Sequence, residues 1–352
     1  MKKLLVAFVF VLNFFTTTAQ EKNIWSKDQA NKWGAVQPWY VGGNFLPSTA
    51  INQLEMWQAE SFDPVTISRE LGWASSIGMN VMRVYLHDIA WQIDPQGFKK
   101  RMNDFLAIAD KHKIKILFTV FDDCWNADAS PGKQPDPKPG IHNSGWVRSP
   151  TISVHDNPLK WQYLEAYVKD VLSYFKDDKR ILMWDLYNEP GNSDYENGSV
   201  ELLQRVFEWA WFVRPSQPLT CAVWDGSEVI NEIILSNSDV ITFHNYEELS
   251  SLENQIIKLK SYDRPILCSE YMARTRNSKF QSHLPLFKKY NVSAINWGLV
   301  AGKSNTIYQW GMPIPDGSEP AVWFHDVFRK DGSPYKKEEV DFIKSITARK
   351  NK

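Results

Sequence analysis

Two stretches of this chain carry acids whose type and setting point to chemistry. One is MWDLYNEP, which ends in Asn188, Glu189 and Pro190; the other is PILCSEYMAR, with Glu270 at its centre. Each begins as an apolar, β-rich run, and each acid falls where that run stops. Two carboxylates facing one another over a cleft can act on a glycosidic bond. One protonates the departing oxygen, and the other attacks the anomeric carbon or activates water. Asn-Glu-Pro alone is a weak signal, and an isolated Glu is usually a solvated loop residue. The argument therefore depends on what places the two acids together.

The elements that must do so form a regular series. β-like runs occur at 39–44, 80–86, 114–121, 181–187, 219–224, 240–244, 265–269 and 292–297. Most are continuous apolar runs, as expected of strands buried on both faces. Amphipathic segments alternate with them. Asp63–Pro64, Asp94–Pro95 and Asn157–Pro158 each supply a cap followed by proline at the first helical position. Further helices are expected near 198–213, 227–236, 249–261, 279–290 and 336–348. Eight strands, each followed by a helix, predict an α/β fold, a (β/α)8 TIM barrel in a single domain spanning 20–352. A doubly wound open sheet is the other architecture such units build, and eight even units favour closure. Chemistry in a closed barrel sits at the C-terminal strand ends. Glu189 then lies at the rim of strand 4 and Glu270 at the rim of strand 7, across the mouth from each other.

With these positions assigned, the chain resembles a retaining glycoside hydrolase of clan A, closest in style to family 5 with its cellulases and mannanases. The resemblance spans the whole of 20–352. It implies Glu189 as acid/base, Glu270 as nucleophile, and Asn188 as the group on the sugar 2-hydroxyl. It further implies that Arg83 in NVMRVYL supports the nucleophile, and that His244 and Tyr246 in TFHNYEE form the family's His-x-Tyr, with Tyr246 on the nucleophile. Trp297 in AINWG is implied as the aromatic under the sugar at the cleavage point. An Arg beside Glu270 would keep it ionised. Glu189, partly desolvated and near a second carboxylate, is expected to have a raised pKa.

The sequence departs from the family pattern after strand 3, where it reads FDDCWNADASPGKQPDPKPGIHNSGWVRSP. Asp122, Asp123, Trp125, His142 and Trp146 are candidate subsite residues there, and the loop at 127–150 is long enough to wall off one end of a cleft. His87–Asp88 and Trp224–Asp225 are further rim groups. The SEY of strand 7 is also similar to family 2 glycosidases, although 352 residues leave no room for the flanking β-sandwich domains expected there.

Composition narrows the alternatives. The 40 Lys and Arg nearly balance 41 Asp and Glu, which argues against nucleic acid as the main partner. Sixteen Trp exceed what a core needs and suit stacking platforms for a carbohydrate substrate. With 7 His set singly, no His-x-His and no HExxH, neither a metal nor another cofactor is expected. The run Ala301-Gly302-Lys303-Ser304 is no phosphate loop, since its first glycine would fall at Trp297. Three widely spaced cysteines, Cys124, Cys221 and Cys268, form at most one bridge and read as buried thiols. Lys2 and Lys3, the apolar run 4–15 and Thr17–Thr18–Ala19 read as a signal peptide over 1–19, predicting a secreted or periplasmic protein free of the membrane after cleavage. The expected activity is thus retaining hydrolysis of β-linked glycans, of mannan, glucan or xylan type. The alternatives are transfer of the glycosyl group to another sugar and carbohydrate binding without catalysis.

Overall fold

The computed structural model describes residues 22–348. The expected signal peptide lies outside them. The eight strands are β1 (Val41–Asn44), β2 (Val81–Tyr85), β3 (Lys115–Asp122), β4 (Ile181–Asn188), β5, β6 (Ile241–His244), β7 (Ile266–Tyr271) and β8 (Ser293–Asn296). β5 comes in two pieces, Leu219–Thr220 and Ala222–Val223, interrupted at Cys221. Its first piece pairs with β4 and its second with β6, and β1 pairs with β8, so the parallel sheet closes on itself. The expected single-domain TIM barrel is what the chain forms.

Strand β2 shows why the interior is layered. Its inward positions recur every second residue: Val81, Arg83 and Tyr85. Val81 joins Tyr40, Leu117, Leu182, Met183, Val240, Leu267 and Ile295 in an apolar plug near the strand starts. Arg83 lies one layer higher, and Tyr85 packs with Trp146 and Trp297 in an aromatic layer at the mouth. The interior passes from apolar to charged to aromatic along the barrel axis. Between sheet and helices lies the main hydrophobic core, which holds the outward face of β3 through Ile116, Phe118 and Val120.

Helix starts follow local chemistry. Asp63 accepts from the Thr66 amide at 3.0 Å before the helix Pro64–Ser76, and Asp94 accepts from the Gly97 amide at 2.9 Å before Pro95–Lys111. Asn157–Pro158 opens a single 3-10 turn, and the helix proper is Trp161–Tyr174. The helix Lys27–Ala35 was not foreseen. It buries only Ala30 and so writes no apolar period into the sequence. The short helices Gln53–Trp57, Asp88–Ile93 and Ile152–His155 escape for the same reason of length. Two long segments lack regular structure: residues 123–151 after β3, as expected, and residues 297–336 after β8, a stretch rich in glycine and proline in which no strand or helix was expected. The three cysteines are buried free thiols.

The second of these segments rests on a buried acid. Glu70, fully buried on the helix Pro64–Ser76, accepts from the amide and hydroxyl of Ser48 at 3.1 and 2.5 Å. The Ser48 carbonyl in turn accepts from the Lys303 amide at 3.1 Å. Burial pushes the Glu70 carboxyl up to about 7, against the opposing pull of its Ser48 hydrogen bonds. Because the folded value is raised, the native state holds this proton more tightly than the unfolded chain. Stability from this group is therefore present at low pH and lost as pH rises towards 7. Glu70→Gln should match the parent near pH 4 and gain on it by up to about 3 kcal/mol above pH 7, measured by denaturant unfolding across that range.

Candidate active site

Arg83 is fully buried and organises the charged layer. Its Nε and Nη2 donate to Asp185 Oδ2 on β4 at 2.9 and 2.5 Å. Nη2 also reaches Asn188 Oδ1 at 2.7 Å, while Nη1 donates to Asn44 Oδ1 at 3.0 Å and Glu270 Oε1 at 2.6 Å. Four strands are tied to one guanidinium. Glu270, the fifth residue of β7, has both oxygens engaged. Tyr85 donates to Oε1 at 2.7 Å and also accepts from Arg83, while Tyr246 donates to Oε2 at 2.7 Å. Burial, with the adjacent carboxylate adding to it, pushes both phenols well above their usual range and keeps them as donors.

Glu189 follows the last residue of β4 with φ of 43°, the left-handed region that glycine favours. A glutamate held there carries strain of about 1–3 kcal/mol. The turn directs its carboxylate across the mouth, where Oε1 accepts from His244 Nδ1 at 2.7 Å. Oε2 accepts from Asn192 Nδ2 at 2.5 Å and from the Cys124 thiol at 3.3 Å. A raised pKa was expected here, and the structure corrects this. Burial is the largest single influence and raises it. The hydrogen bond and charge of His244, with Cys124 and Asn192, outweigh burial and hold the carboxyl below its ordinary value. Desolvation was anticipated, but the three donors that converge on the carboxylate were not. His244 also points Nε2 at Glu270 Oε1, 3.6 Å away. One oxygen of each glutamate and one ring nitrogen of His244 lie within 4.8 Å of one another.

These groups open into a cavity of about 700 Å³. Both glutamates line it together with Asn188, His244, Tyr246, Trp125, Trp146, Trp224 and Trp297. Arg83 does not. It was grouped with the substrate-binding residues, but full burial beneath the floor leaves it acting through the side chains it holds, Glu270, Asn188, Asp185, Asn44 and Tyr85. Asp122 and His142 line the cavity as well, and Asp225 stands at its exposed edge. Asp122 accepts from Asn188 Nδ2 at 2.8 Å and from Trp146 Nε1 at 2.6 Å, binding the long β3 loop to the end of β4. Burial pushes its carboxyl up to about 7.

Asp123 turns away from the cavity, accepting from Tyr187 Oη at 2.7 Å, the Gly191 amide at 2.8 Å and Ser199 Oγ at 2.5 Å. His87 caps the helix Asp88–Ile93, and Asp88 accepts from Ser149 and Tyr163, both at 2.7 Å. None of these three reaches the site. Among the residues there that were not anticipated are Tyr85, Cys124, Asn192 and Trp310. Tyr85 was legible in principle, two residues beyond Arg83 on the same face of β2. Trp310 carries no motif, because only the path of the 297–336 segment brings it back to the mouth.

Comparison with known proteins agrees with this geometry. Residues 142–298 match the family described as glycosyl hydrolases family 2, TIM barrel domain. That span contains Glu189, His244, Glu270 and Trp297. The chain resembles the clan A (β/α)8 glycosidases. Among solved structures, a variant of GH5_18 from Streptomyces cattleya in complex with Manb1-4GlcNAc superposes with a TM-score of 0.60 at 10% identity, covering 88% of this chain and 79% of that one. The endo-beta-1,4-mannanase from Thermotoga petrophila gives 0.57 at 14%, with 90% and 77% covered. The beta-mannanase from the blue mussel Mytilus edulis gives 0.57 at 15%, with 89% and 92% covered. At such identities the likeness is one of fold. No curated protein sequence matches. The family match, with two facing carboxylates in an aromatic cavity, supports an O-glycosyl hydrolase.

The balance at Glu189 can be read directly. Carboxyl carbon resonances of the labelled protein should show Glu189 titrating below the ordinary glutamate range. His244→Ala removes the strongest opposing donor, leaves burial in place, and should move the midpoint upward. An unchanged midpoint would assign the depression to Asn192 and Cys124 instead.

Proposed function

We propose that this protein is a retaining β-glycoside hydrolase, with Glu270 as nucleophile and Glu189 as acid/base. The observation that carries the reading is the close approach of the two carboxylates, with oxygens within 4.8 Å. Retaining enzymes hold the carboxyl groups about 5–5.5 Å apart, whereas inverting ones leave about 6.5–9.5 Å for a water.

Glu270 Oε1 is committed to Arg83 and Tyr85, so Oε2, bonded only to Tyr246, attacks the anomeric carbon. The glycosidic C–O bond breaks as the proton of Glu189 passes to the departing oxygen, leaving a glycosyl ester on Glu270. Glu189, now a carboxylate, takes a proton from water whose oxygen attacks the same carbon and frees Glu270. Donors held on Glu189 suit this second, basic role. Sugar filling the cavity displaces water around Glu189 and adds to the desolvation that favours its protonated form. Asn188 already spends its carbonyl on Arg83 and one N–H on Asp122. Its other N–H rests on the sulfur of Cys124 at 3.3 Å, a weak acceptor, and can turn to a sugar hydroxyl. The tryptophans offer flat faces for the apolar side of sugar rings.

The neighbours in complex with Manb1-4GlcNAc or named as mannanases favour β-mannosides among the β-linked glycans. Lys2, Lys3 and the apolar run behind them support export, with the mature chain starting near Gln20.

Release of nitrophenol from aryl β-mannoside, β-glucoside, β-xyloside and β-galactoside tests the reading. Glu270→Ala should be silent on all four. Glu189→Ala should keep turnover of the activated aryl substrate and yield a β-glycosyl azide when azide is added, since retention requires the covalent intermediate. Equal activity in the parent and Glu270→Ala would assign the nucleophile elsewhere. Tyr85→Phe removes one charge-assisted hydrogen bond and should lower kcat about 10- to 100-fold with little change in KM.

A further inference from the structure

The mouth of the barrel is closed on one side only. Residues 123–151 and 297–336 meet over β1 and β2 and bond to each other along their length. The Asn143 amide donates to the Ser304 carbonyl at 2.9 Å, the Ile314 amide to the Gly140 carbonyl at 3.0 Å, and Asn305 Nδ2 to the Lys138 carbonyl at 2.9 Å. His142 is the rivet. Burial lowers its pKa to about 4, so the ring is neutral and offers one donor and one acceptor. Nδ1 lies 2.8 Å from the Tyr308 carbonyl, and Nε2 accepts from Trp310 Nε1 at 3.1 Å. Trp310 then packs edge-on against Tyr246, with ring centroids 4.8 Å apart, carrying the wall round to β6.

The loop after β1 backs this wall. Asn52 donates to the Gly145 carbonyl at 2.8 Å, and Lys303 pairs with Glu55 at 2.8 Å. A side chain at Gly145 would clash with Ile51, and one at Gly302 with the backbone of Ser48. The wall is closely packed at both of these points.

The opposite side is open. Asp225, Glu247 and Arg276 stand exposed at the cavity edge beyond β5, β6 and β7, and Trp224 is half-buried. On the walled side His142, Asn143, Trp146 and Trp297 are buried, Trp310 is half-buried, and Trp125 is exposed at the outer edge. Glu189 lies towards the open side, at the end of β4. This orientation has a chemical consequence, which rests on Glu189 as proton donor. The donor must stand beside the departing oxygen, so the leaving part of the substrate extends past Glu189 into the open side. The sugar that becomes bonded to Glu270 faces the wall with its non-reducing end. We propose that the enzyme is exo-acting: the cavity holds one terminal sugar against the wall and releases residues singly from the non-reducing end.

Reducing-end-labelled β-1,4-linked mannohexaose, glucohexaose and xylohexaose, offered to the full chain, test this at early times. The expected labelled product is the pentaose alone, with unlabelled monosaccharide appearing in equal amount. A hexaose whose terminal non-reducing sugar carries a bulky 4,6-acetal should be cleaved about 100-fold more slowly, because the substituent meets the wall. Labelled dimers to tetramers in the first products, or equal cleavage of the capped hexaose, would overturn exo action while leaving the hydrolase intact. Failure to cleave any hexaose or any aryl β-glycoside would overturn both.

Discussion

One buried cation sets the geometry of the mouth. Arg83 sits inside the barrel with no exposure, where an unpaired charge would be untenable, and the chain surrounds it with partners from β1, β4 and β7. Its planar fork fixes the angle between those strands' side chains in a way a lysine could not. Asn188 is oriented by one arm and Glu270 by another, so both side chains are built on the same guanidinium. Tyr85 extends this control by one layer, taking a hydrogen bond from Arg83 and passing one to Glu270. The arrangement is stable only complete. Losing one partner leaves buried charge uncompensated, a loss of about 3–5 kcal/mol.

The second organising balance is at His244. Its ring stands between two carboxylates, bonded to Glu189 and facing Glu270. Burial alone would raise the Glu189 pKa, and the convergent donors hold it below its ordinary value. In the proposed mechanism Glu189 gives a proton in one step and takes one in the next, and a sugar bound beside it adds to its desolvation.

The loops decide which part of a glycan can enter. Residues 123–151 and 297–336 are far apart in sequence, yet they meet through His142, Tyr308 and Trp310, and the loop after β1 backs both, through Asn52 on one and Ser48 and Glu55 on the other. Asp122 reaches from β3 to Trp146 and Asn188, so the wall and the catalytic layer are mechanically joined. A change in the wall is therefore felt at the sugar-binding groups, which a free-standing lid would not achieve.

By itself the sequence determined the eight strands, most of the flanking helices and the strand ends at which Glu189 and Glu270 stand. Continuous apolar runs, Asp-Pro and Asn-Pro caps and the barrel's fixed direction are local or topological signals, and they survive without coordinates. It also marked Trp125, Trp146, Trp224 and Trp297, which the fold gathers around one cavity. The tertiary structure decided the rest. Lys27–Ala35 formed without an apolar stripe, Asp123 and His87 turned to structural partners, and Arg83 went beneath the floor. The sign of the Glu189 shift depended on three donors, one at the end of β6 and two in the loops after β3 and β4, and Trp310 reached the mouth along a segment with no periodicity. Each of these outcomes comes from groups distant in sequence meeting at a few ångströms. Burial and hydrogen bonding act at that range, and no local pattern encodes it.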